Sequence, residues 1–323
     1  MKRMLALSIV LAVALVVAGC APQAATPAPQ AEAKTIRLGM VNYTLCCPYF
    51  IGMSKAVEEE AAFYDNIELV ITDANGDAGK LTSDVEDVLA KKVDGIIISG
   101  GPLEAAPEAL DAIKKAGIPV VLVDRLLKGG EYTSWVGPDN YQIGVQDGQF
   151  IVDRLGGNGF IVVLRGGPAD NSIGLDRTNG MLSVVEKSDI KVEKAPDFGG
   201  WSSDGGFTLM EDMLARYDKI DAVFCENDSM CLGAQKAVAD AGRSDEMFLV
   251  AVDGEKAALE NIMAEESNYA ATGLNNSDQI GRAAFHRMMA ILGGASAPHD
   301  TVLPSPIITI DNVDRYYNPD SVF

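Results

Sequence analysis

The chain has 323 residues, 48% of them hydrophobic, with a formal net charge of −20. That is enough apolar material for two full cores, and it excludes a disordered polymer. So large an acidic excess repels phosphate backbones and excludes nucleic acid as a partner. Two histidines, His286 and His299, leave little for a histidine-based zinc site or a Ser-His-Asp triad.

Lys2 and Arg3 open the chain ahead of an apolar run from Met4 to Val17, which closes on Val17-Ala18-Gly19-Cys20. The run is short for a membrane span and has the flanks of a secretory signal. The ending is similar to the lipobox of bacterial lipoproteins, in which the Cys is lipidated and becomes the new N-terminus. A signal peptide is therefore expected at 1–19. Cys20 is expected to carry lipid, with a flexible linker to residue 34, because 21–33 is rich in Ala, Pro and Gln and cannot build a core.

From Thr35 onward, β-branched runs alternate with amphipathic stretches. Strands are expected at 36–41, 67–72, 94–99 and 120–123, and helices at 48–64, 80–91 and 103–116, the last stopped by Gly117. After Trp135-Val136-Gly137 the series restarts. Helices are expected at 140–155, 175–187, 206–216, 230–241, 257–265 and 279–292, and strands at 159–164, 190–195, 221–225, 247–252, 269–272 and 307–310. Repeated β-α units imply parallel sheets with right-handed crossovers, and no short repeat period points to a solenoid.

Two of these strands echo one another. Val120-Val121-Leu122-Val123 ends on Asp124-Arg125, and Phe248-Leu249-Val250-Ala251-Val252 ends on Asp253. In open α/β sheets the carboxyl end of a strand is where ligands sit, so two such tips suggest two similar lobes sharing one polar site. Gly156-Gly157-Asn158-Gly159 runs from helix to strand, the reverse of a dinucleotide site. Asp73-Ala74-Asn75-Gly76-Asp77 lacks the Glu that closes a calcium loop. No nucleophile–base pair is visible, so no enzymatic reaction, metal or cofactor is expected. Tyr49 and Phe50, Asp176-Arg177, Trp201, Glu226-Asn227-Asp228 and Asn275 also fall at strand tips or helix starts. Carboxylates, Asn and Arg hydrogen-bond hydroxyl groups, and aromatic faces pack on the apolar faces of a pyranose.

Six motifs then carry a resemblance. They are Asp94-Gly95-Ile96-Ile97-Ile98, the run from Ala116 to Arg125, Asp139-Asn140-Tyr141-Gln142-Ile143-Gly144, the run from Asp221 to Asp228, Val252-Asp253-Gly254, and Asp278-Gln279-Ile280-Gly281. With them the chain, from Thr35 to about Asn312, resembles the sugar-binding branch of the type 1 periplasmic binding proteins, solute receptors of ABC importers. The resemblance implies two Rossmann-like α/β lobes with parallel sheets, joined by a three-segment hinge. The N-terminal lobe would be 35–137 plus 276–303 and the C-terminal lobe 138–275 plus 304–323, with crossings near Pro138, Asn275 and Pro304. It also implies that Asp124 and Arg125 bind sugar hydroxyls, that Tyr49 and Phe50 stack on the sugar, and that Arg177, Trp201, Asn227, Asp253 and Asn275 complete the site. Where the family commonly has a polar residue before the Pro, this chain has Cys47, with Cys46 beside it. A thiol is a poor hydrogen-bonding group.

The function so implied is an extracytoplasmic receptor, bound to the membrane only through its lipid. It captures a monosaccharide, a pyranose, closes around it and docks as a monomer on an ABC permease. The alternative is a sensory receptor that hands the closed form to a chemoreceptor or kinase. A repressor's effector module would need a helix-turn-helix where the signal peptide stands. With Cys20 lipidated, Cys46, Cys47, Cys225 and Cys231 remain. A bridge between the first pair and the second would lock the cleft, so four free thiols near it are expected, with a soft-metal site as the lesser alternative.

Overall fold

β-branched runs can be covered on both faces only if helices pack on each side of the sheet they form. The computed structural model describes residues 34–323 apart from 100, 102, 104–105, 128–130, 169–172 and 265. The expected signal peptide, Cys20 and the linker through residue 33 lie outside the described residues. In the first lobe, β1 (Ile36–Asn42), β2 (Ile67–Asp73), β3 (Gly95–Ser99), β4 (Val120–Val123), β5 (Ser134–Pro138) and β11 (Asp300–Leu303) form a parallel sheet in the order β11-β5-β4-β3-β1-β2. In the second, β6 (Asn158–Leu164), β7 (Asp189–Lys194), β8 (Ala222–Cys225), β9 (Phe248–Asp253), β10 (Tyr269–Leu274) and β12 (Ile307–Thr309) run β12-β10-β9-β8-β6-β7. All of these are parallel except β12, which is antiparallel to β10. The strand order reverses beside β1 in one sheet and beside β6 in the other, and ligands bind outside such reversals.

The helices are α1 (Pro48–Ala61), α2 (Ala78–Ala90), α3 (Pro107–Ala116), α4 (Asn140–Leu155), α5 (Gly174–Val185), α6 (Ser203–Arg216), α7 (Asp228–Asp240), α8 (Lys256–Met263) and α9 (Ser277–Leu292). Asp77, Asp139, Ser202, Asn227 and Asn276 each accept a first-turn backbone N–H with their side chains, fixing where five helices start. Such a cap contributes about 0.5–2 kcal/mol. Each sheet has an apolar layer on both faces. Val85, Val88 and Leu122 lie on one side of the first sheet, and Met40, Val121 and Phe285 on the other. Val223 and Leu249 face one side of the second, with Phe224 and Val250 opposite.

The chain passes between lobes after β5, at Asn275 between β10 and α9, and between β11 and β12. α9 belongs with α1 in the first lobe, where Ile280, Ala284 and Phe285 join Met53 and Val57. Two strands were not expected. β5 carries Gly137 and Pro138, and β11 has the patchy burial of an edge strand, so neither shows a clean periodicity. The chain end also differs from the expected boundary. Ile308 and Val313 pack in the second lobe, but Phe323 returns to the first, against Tyr49 at a ring-centroid distance of 5.2 Å. Burying such a ring contributes about 1.5–3 kcal/mol, which a lone terminal aromatic does not announce in sequence.

Candidate functional site

The carboxyl ends of both sheets face one another, and the strand-tip residues meet there. Asp124 follows β4 and Asp253 ends β9, and both have positive φ, 64° and 129°. Such backbone is costly for a residue with a side chain, of order 1–3 kcal/mol, and persists only where the surroundings enforce it. For Asp124 the enforcement is local. Its N–H donates to the Val136 carbonyl at 3.0 Å, and its own carbonyl accepts from Trp135 Nε1 at 3.2 Å. For Asp253 it comes from the next turn, where the Gly254 and Glu255 N–H groups both donate to Asp228 Oδ2 at 2.7 Å. Each strand therefore ends in a bend that sets a carboxylate at its tip.

Around these two carboxylates the polar groups are mutually bonded. Tyr49 Oη donates to Asp124 Oδ1 at 2.7 Å. Arg177 is 1% exposed. It donates from Nη2 to Asp253 Oδ1 at 2.8 Å, from Nε to Asn140 Oδ1 at 2.9 Å and from Nη1 to the Glu226 carbonyl at 2.5 Å. Asn275 Nδ2 donates to Asp253 Oδ1 at 3.2 Å, while its buried Oδ1 has no partner among the described residues. Arg177 reaches this position because α5 lies unusually close to α4. A Cβ on Gly144 would sit 2.0 Å from the Arg177 carbonyl oxygen, and one on Gly180 would sit 2.1 Å from that of Tyr141.

The lobes are near enough to share a field. Burial pushes Asp253 up to about 6, against the pull of Arg177 and Asn275, and the Asp124 charge from the other lobe pushes the same way as burial. Burial, then Asp124 and Asp253, holds the Tyr49 hydroxyl well above its ordinary value, so it stays a donor. The arrangement offers carboxylate acceptors, an amide oxygen and charged donors at short range among buried groups. That chemistry suits a small neutral molecule bearing several hydroxyls.

The other expected residues fall at the same edge with different degrees of engagement. Phe50 is half-buried and stacks edge-on with Tyr49 at 5.2 Å, and Arg125 is partly exposed beside Asp124. Tyr49 itself is buried, its ring held between Phe50 and Phe323, so it presents its hydroxyl more than an open face. Trp201, with φ 62°, lays its indole over Gly166, where a Cβ would lie 2.3 Å from ring atoms. Asn227 spends its side chain inside the second lobe. Its Oδ1 caps α7 at Met230 N (3.1 Å), and its Nδ2 donates to the Trp201 carbonyl at 3.3 Å. Glu226, singled out above at its strand's end, and Asn140, which was not, lie just behind. Glu226 accepts from Gly166 N at 2.7 Å and Thr178 Oγ1 at 2.6 Å, and Asn140 orients Arg177. Both sit inside the motifs quoted above, which was the available signal.

The cysteines correct one expectation. Cys225 closes β8, Cys231 lies in the first turn of α7, and the two form a disulfide with Cα atoms 5.5 Å apart, while Cys46 and Cys47 are free. A bridge inside one lobe leaves closure unhindered, so the objection to a bridge across the cleft does not touch it. It also removes two of the four thiols that a soft metal would need, and no group of three or more His, Cys, Asp or Glu is placed to hold a metal among the described residues. A chain beginning at Thr35, unfolded without reductant, should titrate two thiols with Ellman's reagent and four after reduction. Four without reductant would mean that Cys225 and Cys231 are unpaired.

Residues 38–296 match the periplasmic binding protein domain. The ribose import binding protein of Bacillus subtilis is 31% identical over 274 residues, covering 84% of this chain and 87% of its own. The xylitol-binding protein of Mycolicibacterium smegmatis is 32% identical over 286 residues, covering 88% and 80%. A solved ABC transporter solute-binding protein from Mycobacterium smegmatis, with bound glycerol, superposes with a TM-score of 0.82 at 28% identity over 89% of this chain and 98% of that one. Fold and sequence match converge on one statement: the chain belongs to the periplasmic binding protein family, a family of two-lobed solute receptors rather than enzymes.

Proposed function

We propose that this protein captures a monosaccharide, a pyranose, or a small polyol between its lobes and delivers it to an ABC importer. The observation that carries the reading is the pair of strand-tip aspartates, one from each lobe and near enough for one to feel the other's charge, one bonded to Tyr49 and the other to Arg177 and Asn275. Contacts from both lobes are made only when the lobes are shut, so a ligand bridging them shifts the open–closed equilibrium by its differential affinity for the two states. Ribose, xylitol and glycerol, named with the related proteins, all present adjacent hydroxyls that this set of donors and acceptors could meet. A thermal-shift screen over pentoses, hexoses and polyols should yield a stabilising ligand, because binding only the native state raises the melting temperature. Calorimetry with the best of them should find Asp124→Ala weaker by about tenfold to a hundredfold. A hydrogen bond to a charged group contributes about 1.5–3 kcal/mol, and 1.4 kcal/mol is about tenfold. Unchanged affinity in both Asp124→Ala and Asp253→Asn would place the ligand elsewhere.

The same reading has the receptor work as a monomer outside the cytoplasm, held to the membrane by lipid on Cys20, with Arg125, Phe50, Trp201 and Cys47 lining the ligand. Cys20→Ser should release it into the soluble extracytoplasmic fraction or leave the leader uncut. Unaltered membrane retention and gel mobility would argue against lipidation.

A further inference from the structure

Cys46 and Cys47 lie on the loop that leaves β1 at the ligand edge of the first sheet, directly before α1. Cys47 is the N-cap of α1, and its carbonyl accepts from Ile51 N at 3.2 Å. Its side chain is half-buried, and after burial the neighbouring Cys46 and Asp253, in the opposite lobe, also push its thiol up. Cys46 is exposed to solvent. Two residues after Cys47 comes Tyr49, which donates to Asp124. The molecule thus carries two kinds of cysteine pair. Cys225–Cys231 is sealed in the second lobe's core, and Cys46/Cys47 is a reduced pair opening on the site.

We propose that Cys46 and Cys47 are a reversible dithiol–disulfide pair whose oxidation lowers the affinity of the ligand site. The affinity half rests on the function proposed above; the disulfide half does not. The setting is extracytoplasmic, where thiols meet disulfide oxidants. Adjacent residues have Cα atoms about 3.8 Å apart across a trans peptide, against about 4.4–6.8 Å in ordinary disulfides. A bridge between neighbours is therefore strained, and strained or exposed disulfides are the easily reduced ones. Bridging also twists the Cys46–Cys47 peptide. That peptide leads into the carbonyl that starts α1, and so reaches the Tyr49 hydroxyl and its bond to Asp124.

The reaction balances with a low-molecular-weight disulfide as oxidant. Burial pushes the Cys47 thiol up to about 12, so exposed Cys46 attacks first. Its thiolate, having given its proton to water, displaces one thiolate from the oxidant and forms a mixed disulfide. Cys47 then loses its proton and attacks the Cys46 sulfur, closing the Sγ–Sγ bond and expelling the second thiolate. Two protein thiols are oxidised, and one external disulfide is reduced to two thiols. The second step is the slower, and it accelerates as pH rises.

The test uses the mature chain carrying Cys20→Ser, exposed to glutathione disulfide and then to dithiothreitol. Mass spectrometry should show monomers that lose two hydrogens and regain them, with both Cys46 and Cys47 protected from alkylation in between. Titration calorimetry with D-ribose and with xylitol should show the oxidised form about tenfold weaker, on the scale of one lost hydrogen bond. Cys46→Ser should bind like the reduced parent and stop at a stable glutathione adduct on neither or one sulfur, with no ring. A parent that keeps both thiols, or that crosslinks between chains instead, overturns the pair. Equal affinity in the two forms overturns the affinity claim. Binding of neither probe by the reduced form overturns the sugar reading and the affinity claim with it, while the mass readout still decides whether the disulfide forms.

Discussion

Arg177→Met should lower the stability of the chain by about 3–5 kcal/mol, the cost of leaving a buried charge without its partner, and should abolish ligand binding. Arg177 is 1% exposed, and three of its nitrogens bond to Asp253, Asn140 and the Glu226 carbonyl. Removing it strands the Asp253 carboxylate. Burial already holds that group near 6 with Arg177 pulling it down, so without the guanidinium it rises further and stays protonated at neutral pH. A protonated Asp253 no longer offers two acceptor oxygens to a ligand. Arg177→Lys should fall between, because it restores a charge but not the planar fork that spans three acceptors. Urea denaturation followed by fluorescence measures the first effect and calorimetry the second. An unchanged midpoint in Arg177→Met would show that the guanidinium is not holding the second lobe's tip together.

Asp147→Ala should act in the opposite direction and stabilise the protein. Asp147 lies on α4, fully buried, and neither carboxyl oxygen has a hydrogen-bond partner among the described residues. A Cβ on Gly273 of β10 would lie 3.0 Å from its Oδ2. Burial, and after it the charge of Asp228, push its carboxyl well above the ordinary range, with Arg177 pulling weakly back. A carboxyl that binds its proton more tightly when folded stabilises the fold below its unfolded value. That contribution is lost as pH rises through the folded value. The gain from Asp147→Ala should therefore be largest near pH 8, about 1–3 kcal/mol, the cost of an unsatisfied buried polar group, and should shrink toward pH 4. Thermal melts of parent and variant across that range would decide. A variant less stable than the parent at pH 8 would mean that Asp147 has a partner worth keeping.

Much of the architecture was legible because parallel strands buried on both faces leave long β-branched runs, and a charge straight after such a run stands out. Asp124 and Asp253 could be singled out on that ground, and they come together across the lobes. What stayed hidden depends on contacts distant in sequence. The hydroxyl of Tyr49 is committed to Asp124, 75 residues away. Asn227 caps α7, and the positive φ of Asp253 is imposed by a turn tied to Asp228. Asp147 looks like a solvated helix charge, because one acid in an amphipathic stretch gives no hint that Gly273 lets β10 close over it. The Cys225–Cys231 bridge escaped because only pairings across the cleft were constrained by mechanism.

The return of Phe323 to the first lobe has a consequence for biogenesis. Domains generally fold as units as the chain is made, N-terminal first. Here the lobe that begins first cannot finish first. α1 is covered by α9 and by Phe323, so the first core remains open until residue 323 is available. The second lobe needs β12 to complete its sheet and the stretch to Tyr317 to cover its core, and so reaches closure while the first is still unsealed. A nascent or translocating chain therefore exposes the α1 face of the first lobe longest. That face is where premature association would begin, and a tag fused after Phe323 would press on the helix that carries Tyr49.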